Sequence, residues 1–133
     1  MNHYTTILRE HNLKATPQRL EITNALHLNG HMSIERLYEI MLKKFNSISL
    51  ATIYKNINLM LEASLIQEVK IPNTKSVYEL TKESHSHTVC SECREITDID
   101  LDLSKIETLA TEISAFKIDY TDLVLSGICK KCQ

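Results

Sequence analysis

The chain is short of the residues that break or loosen regular structure: 133 residues include only two glycines, Gly30 and Gly127, and two prolines, Pro17 and Pro72. With so little glycine there is no glycine-rich loop to cradle a nucleotide phosphate, and no nucleophile motif stands in its place. No apolar run approaches the roughly 20 residues a membrane-spanning helix needs. The opening stretch MNHYTTILREHNLK has neither a basic leader nor a long apolar core, so no secretory signal and no membrane attachment are expected, and the expected compartment is the cytoplasm. Repeats and low-complexity tracts are absent as well. What remains is 43% hydrophobic and 24% charged, the composition of a folded, soluble chain.

Charge is unevenly spread. Residues 1–70 carry eight Lys and Arg against six Glu, and residues 71–133 carry seven against eleven acidic side chains, so the halves stand at +2 and −4. A mildly basic first half suits nucleic acid, and an acidic second half suits some other task.

The four cysteines all fall into two CxxC pairs, Cys90 with Cys93 and Cys129 with Cys132. A two-residue spacer lets both sulfurs of a pair reach one ion, and two pairs complete a tetrahedral zinc site. In a reducing compartment these cysteines are better metal ligands than disulfide partners. The long separation between the pairs implies that two distinct elements are stapled together. Four thiolates leave zinc no open position for a substrate, so the site is structural. A second constellation lies beside the first: His85-x-His87, with Glu79 upstream and Asp98 downstream. On a strand, residues two apart share a face, so the two imidazoles can hold one ion. Carboxylates added to imidazoles favour iron(II) or manganese(II) over a thiolate-type zinc site. His31 follows Gly30 in a loop and, on spacing alone, reads as an exposed histidine.

The first 64 residues read as helices. Thr16-Pro17 is an N-cap followed by proline at the first helical position, and Gly30 after Asn29 suits a helix end. Ser33 caps a helix whose apolar face is Ile34, Leu37, Tyr38, Met41, Leu42 and Phe45. Ser49 caps another, with Ile48 and Ile53 as a hydrophobic staple and Leu50, Ile53, Ile57 and Leu61 as the core stripe. Thr52, Lys55, Asn56 and Asn58 then point away from the core, with Tyr54 at the edge. Two extended segments follow, residues 65–71 and 76–80, joined by the turn Pro72-Asn73-Thr74-Lys75. Helices followed by a hairpin make a winged helix-turn-helix, and the exposed face of the Ser49 helix offers groups able to reach phosphates and base edges. Lys14, just ahead of Thr16-Pro17, can reach an adjacent phosphate or minor groove. Beyond a polar stretch, Val89 and residues 96–99 read as strands. Ile106, Leu109, Ala110 and Ile113 mark a helix, and residues 116–128 read as further strands. Neither half buries a large core alone, so the second needs its metal, a partner subunit, or both.

Together these features resemble the ferric uptake regulator family. The resemblance runs from Leu13-Lys14-Ala15-Thr16-Pro17-Gln18-Arg19 through Ser49-Leu50-Ala51-Thr52-Ile53-Tyr54-Lys55-Asn56 and His85-Ser86-His87-Thr88-Val89-Cys90-Ser91-Glu92-Cys93 to Cys129-x-x-Cys132. It implies a metal-dependent transcriptional repressor that binds an A/T-rich inverted repeat of double-stranded operator DNA as a homodimer. It implies that Lys14 approaches the minor groove and Tyr54 reads the major groove, within a DNA-facing set of Lys14, Arg19, Thr52, Tyr54, Lys55 and Asn56. It also implies that His31 is a ligand, joining Glu79, His85, His87 and Asp98 around a regulatory iron(II) or manganese(II).

Asp98 and the Lys55-Asn56 pair look like the peroxide-sensing branch, in which a metal-bound histidine is oxidised. Glu79 looks like the iron-uptake branch, and zinc-uptake regulators share the frame. The positions that a further metal site of iron-uptake regulators would use hold Ser86 and Thr121. The expected fold is α+β: a winged-helix DNA-binding domain over residues 1–80, a hinge at 81–84, and a small α/β dimerisation and metal-sensing domain with the four-cysteine zinc site over 85–133. The rival from another class is a non-haem metal enzyme. Zinc deaminases, for instance, pair His-x-Glu with CxxC, but here the residue two after His85 is His87. A zinc module that binds only protein is the other rival, and the basic, helical first half argues against it.

Overall fold

The computed structural model describes residues 2–133. They divide into two compact units, with the boundary between Lys82 and Glu83.

The first unit begins with four helices, α1 (Asn2–Glu10), α2 (Pro17–Asn29), α3 (Ile34–Lys44) and α4 (Leu50–Glu62). Three of the starts are set by side-chain caps. The hydroxyls of Thr16, Ser33 and Ser49 accept from the backbone N–H groups of Arg19, Arg36 and Thr52, satisfying donors that the first helical turn leaves over. Gly30, at φ 79°, ends α2 with its N–H on Leu26 O. The wing is β1 (Ile66–Val69) paired antiparallel with β2 (Val77–Leu80), in register from Ile66 opposite Leu80 to Val69 opposite Val77. Asn73, at φ 61°, occupies the connecting turn, where asparagine tolerates the left-handed region. Met32 adds a single backbone bridge to Tyr78, donating at 3.0 Å and accepting at 2.8 Å.

The core of this unit is one cluster that includes Leu8, Ile22, Leu26, Leu37, Met41, Ile53, Ile57 and Met60. Burying a side chain of this size contributes roughly 1.5–3 kcal/mol each. The α3 face is as its periodicity predicts. The α4 stripe is different. Ile53, Asn56, Ile57 and Met60 are the buried positions, whereas Leu50 remains 41% exposed. At about 100° per residue, Leu50 and Asn56 lie on opposite margins of the Ile53–Ile57 line. Leu50, the first helical residue, has no preceding turn to cover it, and Asn56 can go inward because Arg19 supplies a hydrogen-bond partner.

The second unit is a three-stranded sheet in the order β4-β3-β5, formed by β3 (Ser86–Cys90), β4 (Ile96–Ile99) and β5 (Val124–Gly127), with α5 (Ser104–Ser114) between β4 and β5 in sequence. β3 runs antiparallel to β4 and parallel to β5. The strand expectation for residues 116–128 holds only for 124–127. Ala115 closes α5 in the left-handed region, at φ 59°, and the segment up to Leu123 has no ladder partner that would make it a strand. The apolar side chains of α5 are outside: Ile106, Leu109 and Ile113 are exposed, as are Phe116 and Tyr120 beyond it. No described helix is long and apolar enough to cross a membrane.

Candidate metal centres and nucleic-acid interface

The four thiols converge. Cys90 ends β3 opposite Gly127 of β5, so the parallel pairing carries the chain past Ile128 to Cys129 beside Cys90. Ser91 N–H, bonded to Gly127 O at 2.8 Å, holds the two crossings together. Arg94, at φ 68°, turns the chain back after Cys93, and its N–H reaches Cys90 O at 2.9 Å. Cysteine 132 is delivered by a short 3-10 turn, Lys130–Cys132. All four sulfurs lie within 4.8 Å of one another, and Cys93 and Cys129 are 3.8 Å apart. A tetrahedral zinc with Zn–S bonds of about 2.3 Å spaces its sulfurs about 3.8 Å apart. The cluster therefore fits zinc with little movement.

Its electrostatics point the same way. The Cys90 thiol is lowered to about 6, because the backbone N–H groups of Cys129 and Cys93 donate to its sulfur. Cys132 is pushed up to about 12, first by its hydrogen bond with the Cys129 sulfur. Without a cation the cluster cannot carry four thiolates at neutral pH. An ion of charge +2 removes that obstacle.

Each unit carries candidate nitrogen and oxygen ligands. In the first, the backbone bridge between Met32 and Tyr78 sets their sequence neighbours His31 and Glu79 side by side, and His31 Nε2 lies 2.9 Å from Glu79 Oε2. Glu79 is 1% exposed, and its other oxygen accepts from Gln67 Nε2 at 2.7 Å across the wing. A buried carboxylate is tolerable only with such partners. Gln67 was not anticipated, although its place opposite Glu79 follows once the hairpin register is known. In the second unit, His85 and His87 pack edge to face with ring centres 4.5 Å apart. His87 stands opposite Asp98 in the β3–β4 ladder. Asp98 Oδ1 lies 3.5 Å from His87 Nε2 and 3.8 Å from His85 Nε2. The Nδ1 atom of His85 is 2.8 Å from Glu83 O, which orients the ring. This donor chemistry, imidazole with carboxylate, suits iron(II) or manganese(II). Ser86 is fully buried between the histidines, and Thr121 donates to Glu107 Oε2 at 2.7 Å.

On the first unit, Lys14, Tyr54 and Lys55 are exposed and Thr52 is half-buried beside the Ser49 cap. Arg19 and Asn56 are not presented in the same way. Arg19 Nε donates to Asn56 Oδ1 at 3.0 Å, and Asn56 is 6% exposed.

A winged helix followed by a small α/β unit with a four-thiol cluster defines a metal-binding protein with a nucleic-acid-binding type of fold. The chain belongs to the ferric uptake regulator family, whose model matches residues 10–126. The peroxide operon regulator of Bacillus subtilis is 29% identical over 128 residues, covering 95% of this chain and 88% of that protein. The Campylobacter jejuni peroxide stress regulator superposes with a TM-score of 0.75 at 34% identity, covering 96% of this chain and 97% of the other. The ferric uptake regulator of Francisella tularensis, solved with iron, superposes with a TM-score of 0.74 at 28% identity, covering 90% and 94%.

Proposed function

We propose that this protein is a metal-dependent transcriptional repressor that binds operator DNA as a homodimer and senses peroxide. Residues 1–80 would bind DNA, 81–84 act as the hinge, and 85–133 form the dimerisation and sensing part. Structural zinc belongs to Cys90, Cys93, Cys129 and Cys132. Regulatory iron(II) or manganese(II) belongs to His31, Glu79, His85, His87 and Asp98, a ligand set drawn from both units. The observation that carries the reading is the pairing of His31 with buried Glu79 in one unit and of His85 and His87 with Asp98 in the other. Each is, by itself, an incomplete set of donors for such an ion. Support for DNA binding comes from the exposed Lys14, Tyr54 and Lys55, and support for the dimer from the uncovered apolar face of α5. The partner is an A/T-rich inverted repeat in double-stranded DNA, and the compartment is the cytoplasm. An enzymatic role is not part of this reading, because the zinc site is closed by four thiolates.

Iron(II) bound there would supply a redox-active centre able to react with peroxide, whereas manganese(II) would supply the same charge without that reactivity. The residues do the rest. His31 and Glu79 would hold the ion from the DNA-binding unit, and His85, His87 and Asp98 from the other, so that occupancy would restrict how the α4 helices of a dimer are spaced. Oxidation of His31 or His85, with the added oxygen atom supplied by the peroxide, would remove a ligand and so release the restraint. The test loads the protein with iron(II) or manganese(II), adds low peroxide, and reads both operator binding and peptide masses. Iron-loaded protein should gain one oxygen atom on a peptide containing His31 or His85 and lose its operator affinity, and manganese-loaded protein should do neither. Asp98→Glu should suppress the oxidation, since a longer carboxylate can chelate through both oxygens. Iron-loaded protein that keeps both its mass and its affinity favours an iron-responsive repressor, the reading that Glu79 and the iron-containing Francisella relative support.

A further inference from the structure

One guanidinium joins the segment carrying Lys14 to the helix carrying Tyr54. Arg19, in the first turn of α2, donates from Nε to Asn56 Oδ1 at 3.0 Å and from Nη1 to the backbone carbonyl of Lys14 at 3.2 Å. The Asn56 amide donates in turn to Thr52 O at 3.1 Å, so both of its polar atoms are engaged within the protein. Arg19 itself is held at its backbone, where its N–H caps on Thr16 Oγ1 at 3.3 Å and its carbonyl accepts from Thr23 Oγ1 at 2.8 Å. Asn56 is buried on α4, while its neighbours Tyr54 and Lys55 are exposed. The planar guanidinium holds its donors in a rigid fork, so it fixes a distance and an angle where a lysine ammonium would fix neither.

We propose that Arg19 and Asn56 are positioning residues: their bridge couples the phosphate or minor-groove contact of Lys14 to the base reading of Tyr54, and Asn56 touches no base. The proposal rests on reading the first unit as the DNA-binding one. Its consequence is unusual for a neutral side chain. If the bridge holds Lys14 against the DNA backbone, removing Asn56 lets that contact go, although no charge has been removed. The salt dependence of binding counts such contacts, with a slope of about 0.9 per phosphate neutralised. A bond that only stabilises the fold leaves that slope alone.

The experiment uses full-length, manganese-loaded protein and two duplexes, one enriched by the wild type from a randomised pool and one of random sequence. Affinity is measured across salt concentrations for Asn56→Ala, Arg19→Gln, Lys14→Ala and their pairwise combinations, with melting temperature and zinc content as controls. Asn56→Ala should bind the enriched duplex about tenfold more weakly. It should also lose about 0.9 from the salt slope, and Lys14→Ala should then cost little more in its background. An Asn56→Ala protein that keeps the wild-type slope and the wild-type preference overturns the proposal, as does a full, additive loss from Lys14→Ala in that background. If Asn56→Ala does not fold, the Arg19→Gln/Lys14→Ala pair decides: losses smaller together than their sum support coupling, and additive losses show two independent contacts and overturn it. A wild type with no preference between the duplexes overturns the DNA-binding reading itself, whereas a wild-type preference untouched by these variants overturns only the coupling.

Discussion

At the scale of single residues, the proposed function gives Tyr54 and Lys14 two different kinds of DNA contact. Tyr54 is exposed on α4 between buried Ile53 and exposed Lys55, so its phenol is available to a groove. A base-edge contact is worth about 1–3 kcal/mol of discrimination, or roughly 5- to 150-fold. Tyr54→Ala should lower the operator-to-random affinity ratio by that amount while leaving the salt slope nearly unchanged. A lysine against the DNA backbone displaces counterions, so if Lys14 has that role Lys14→Ala should weaken binding to both duplexes and lower the slope by about 0.9. Binding isotherms on both duplexes over a range of salt check each outcome. A Tyr54→Ala protein with the wild-type ratio would show that α4 is not the reading helix.

Among elements, the strands of the second unit depend most on something outside their own packing. β3 and β5 meet at Cys90 and Gly127, α5 leaves Ile106, Leu109 and Ile113 exposed, and the unit's buried residues are few. The four-thiolate zinc therefore acts as a cross-link between the β3–β4 turn and the end of β5. Binding free energies of about 10–16 kcal/mol for structural zinc at neutral pH exceed the whole stability of most small domains. Cys93→Ser should give protein that is zinc-poor and largely monomeric, because the sheet from which the exposed apolar side chains of α5 and β5 project would lose its cross-link. Metal analysis and sedimentation check this. A stable, zinc-free, dimeric wild type would remove the cross-link argument. Acidification should release zinc, since protons compete with the metal for the thiolates, and metal analysis across a pH series checks it.

At the scale of the whole molecule, occupancy of the regulatory metal site should control operator affinity. His31 lies in the unit ending at Lys82, and under the proposed function it is one of the ligands of the regulatory metal. His31→Ala should leave zinc content and dimerisation intact, because neither the thiols nor α5 depends on it. It should abolish the gain in operator affinity that manganese produces, a gain expected in the range of about 5- to 150-fold for coupling between sites. Titrating DNA with and without manganese for wild type and variant checks it. Equal wild-type affinity in both conditions would end the sensing account altogether.

Much of this protein is determined locally and so was legible in its sequence. The caps at Thr16, Ser33 and Ser49 act on donors three residues away, and the α3 face follows from helical period alone. The wing turn is set by its own residues. The two CxxC pairs announce a four-thiol site because each spacer constrains its own pair. Long-range choices were beyond that reach. Whether Leu50 or Asn56 enters the core depends on Arg19, 37 residues before Asn56, and no periodicity of α4 records that partner. Residues 116–123 have strand-like composition but no ladder neighbour, and only the β3 register confines β5 to Val124–Gly127. His31 reads as a loop residue until the Met32–Tyr78 bridge sets it against Glu79. Local signals choose elements and ligand types, whereas the pairing of distant backbones decides which of those ligands meet, since a side chain finds its partner only after the strands and helices that carry both have docked.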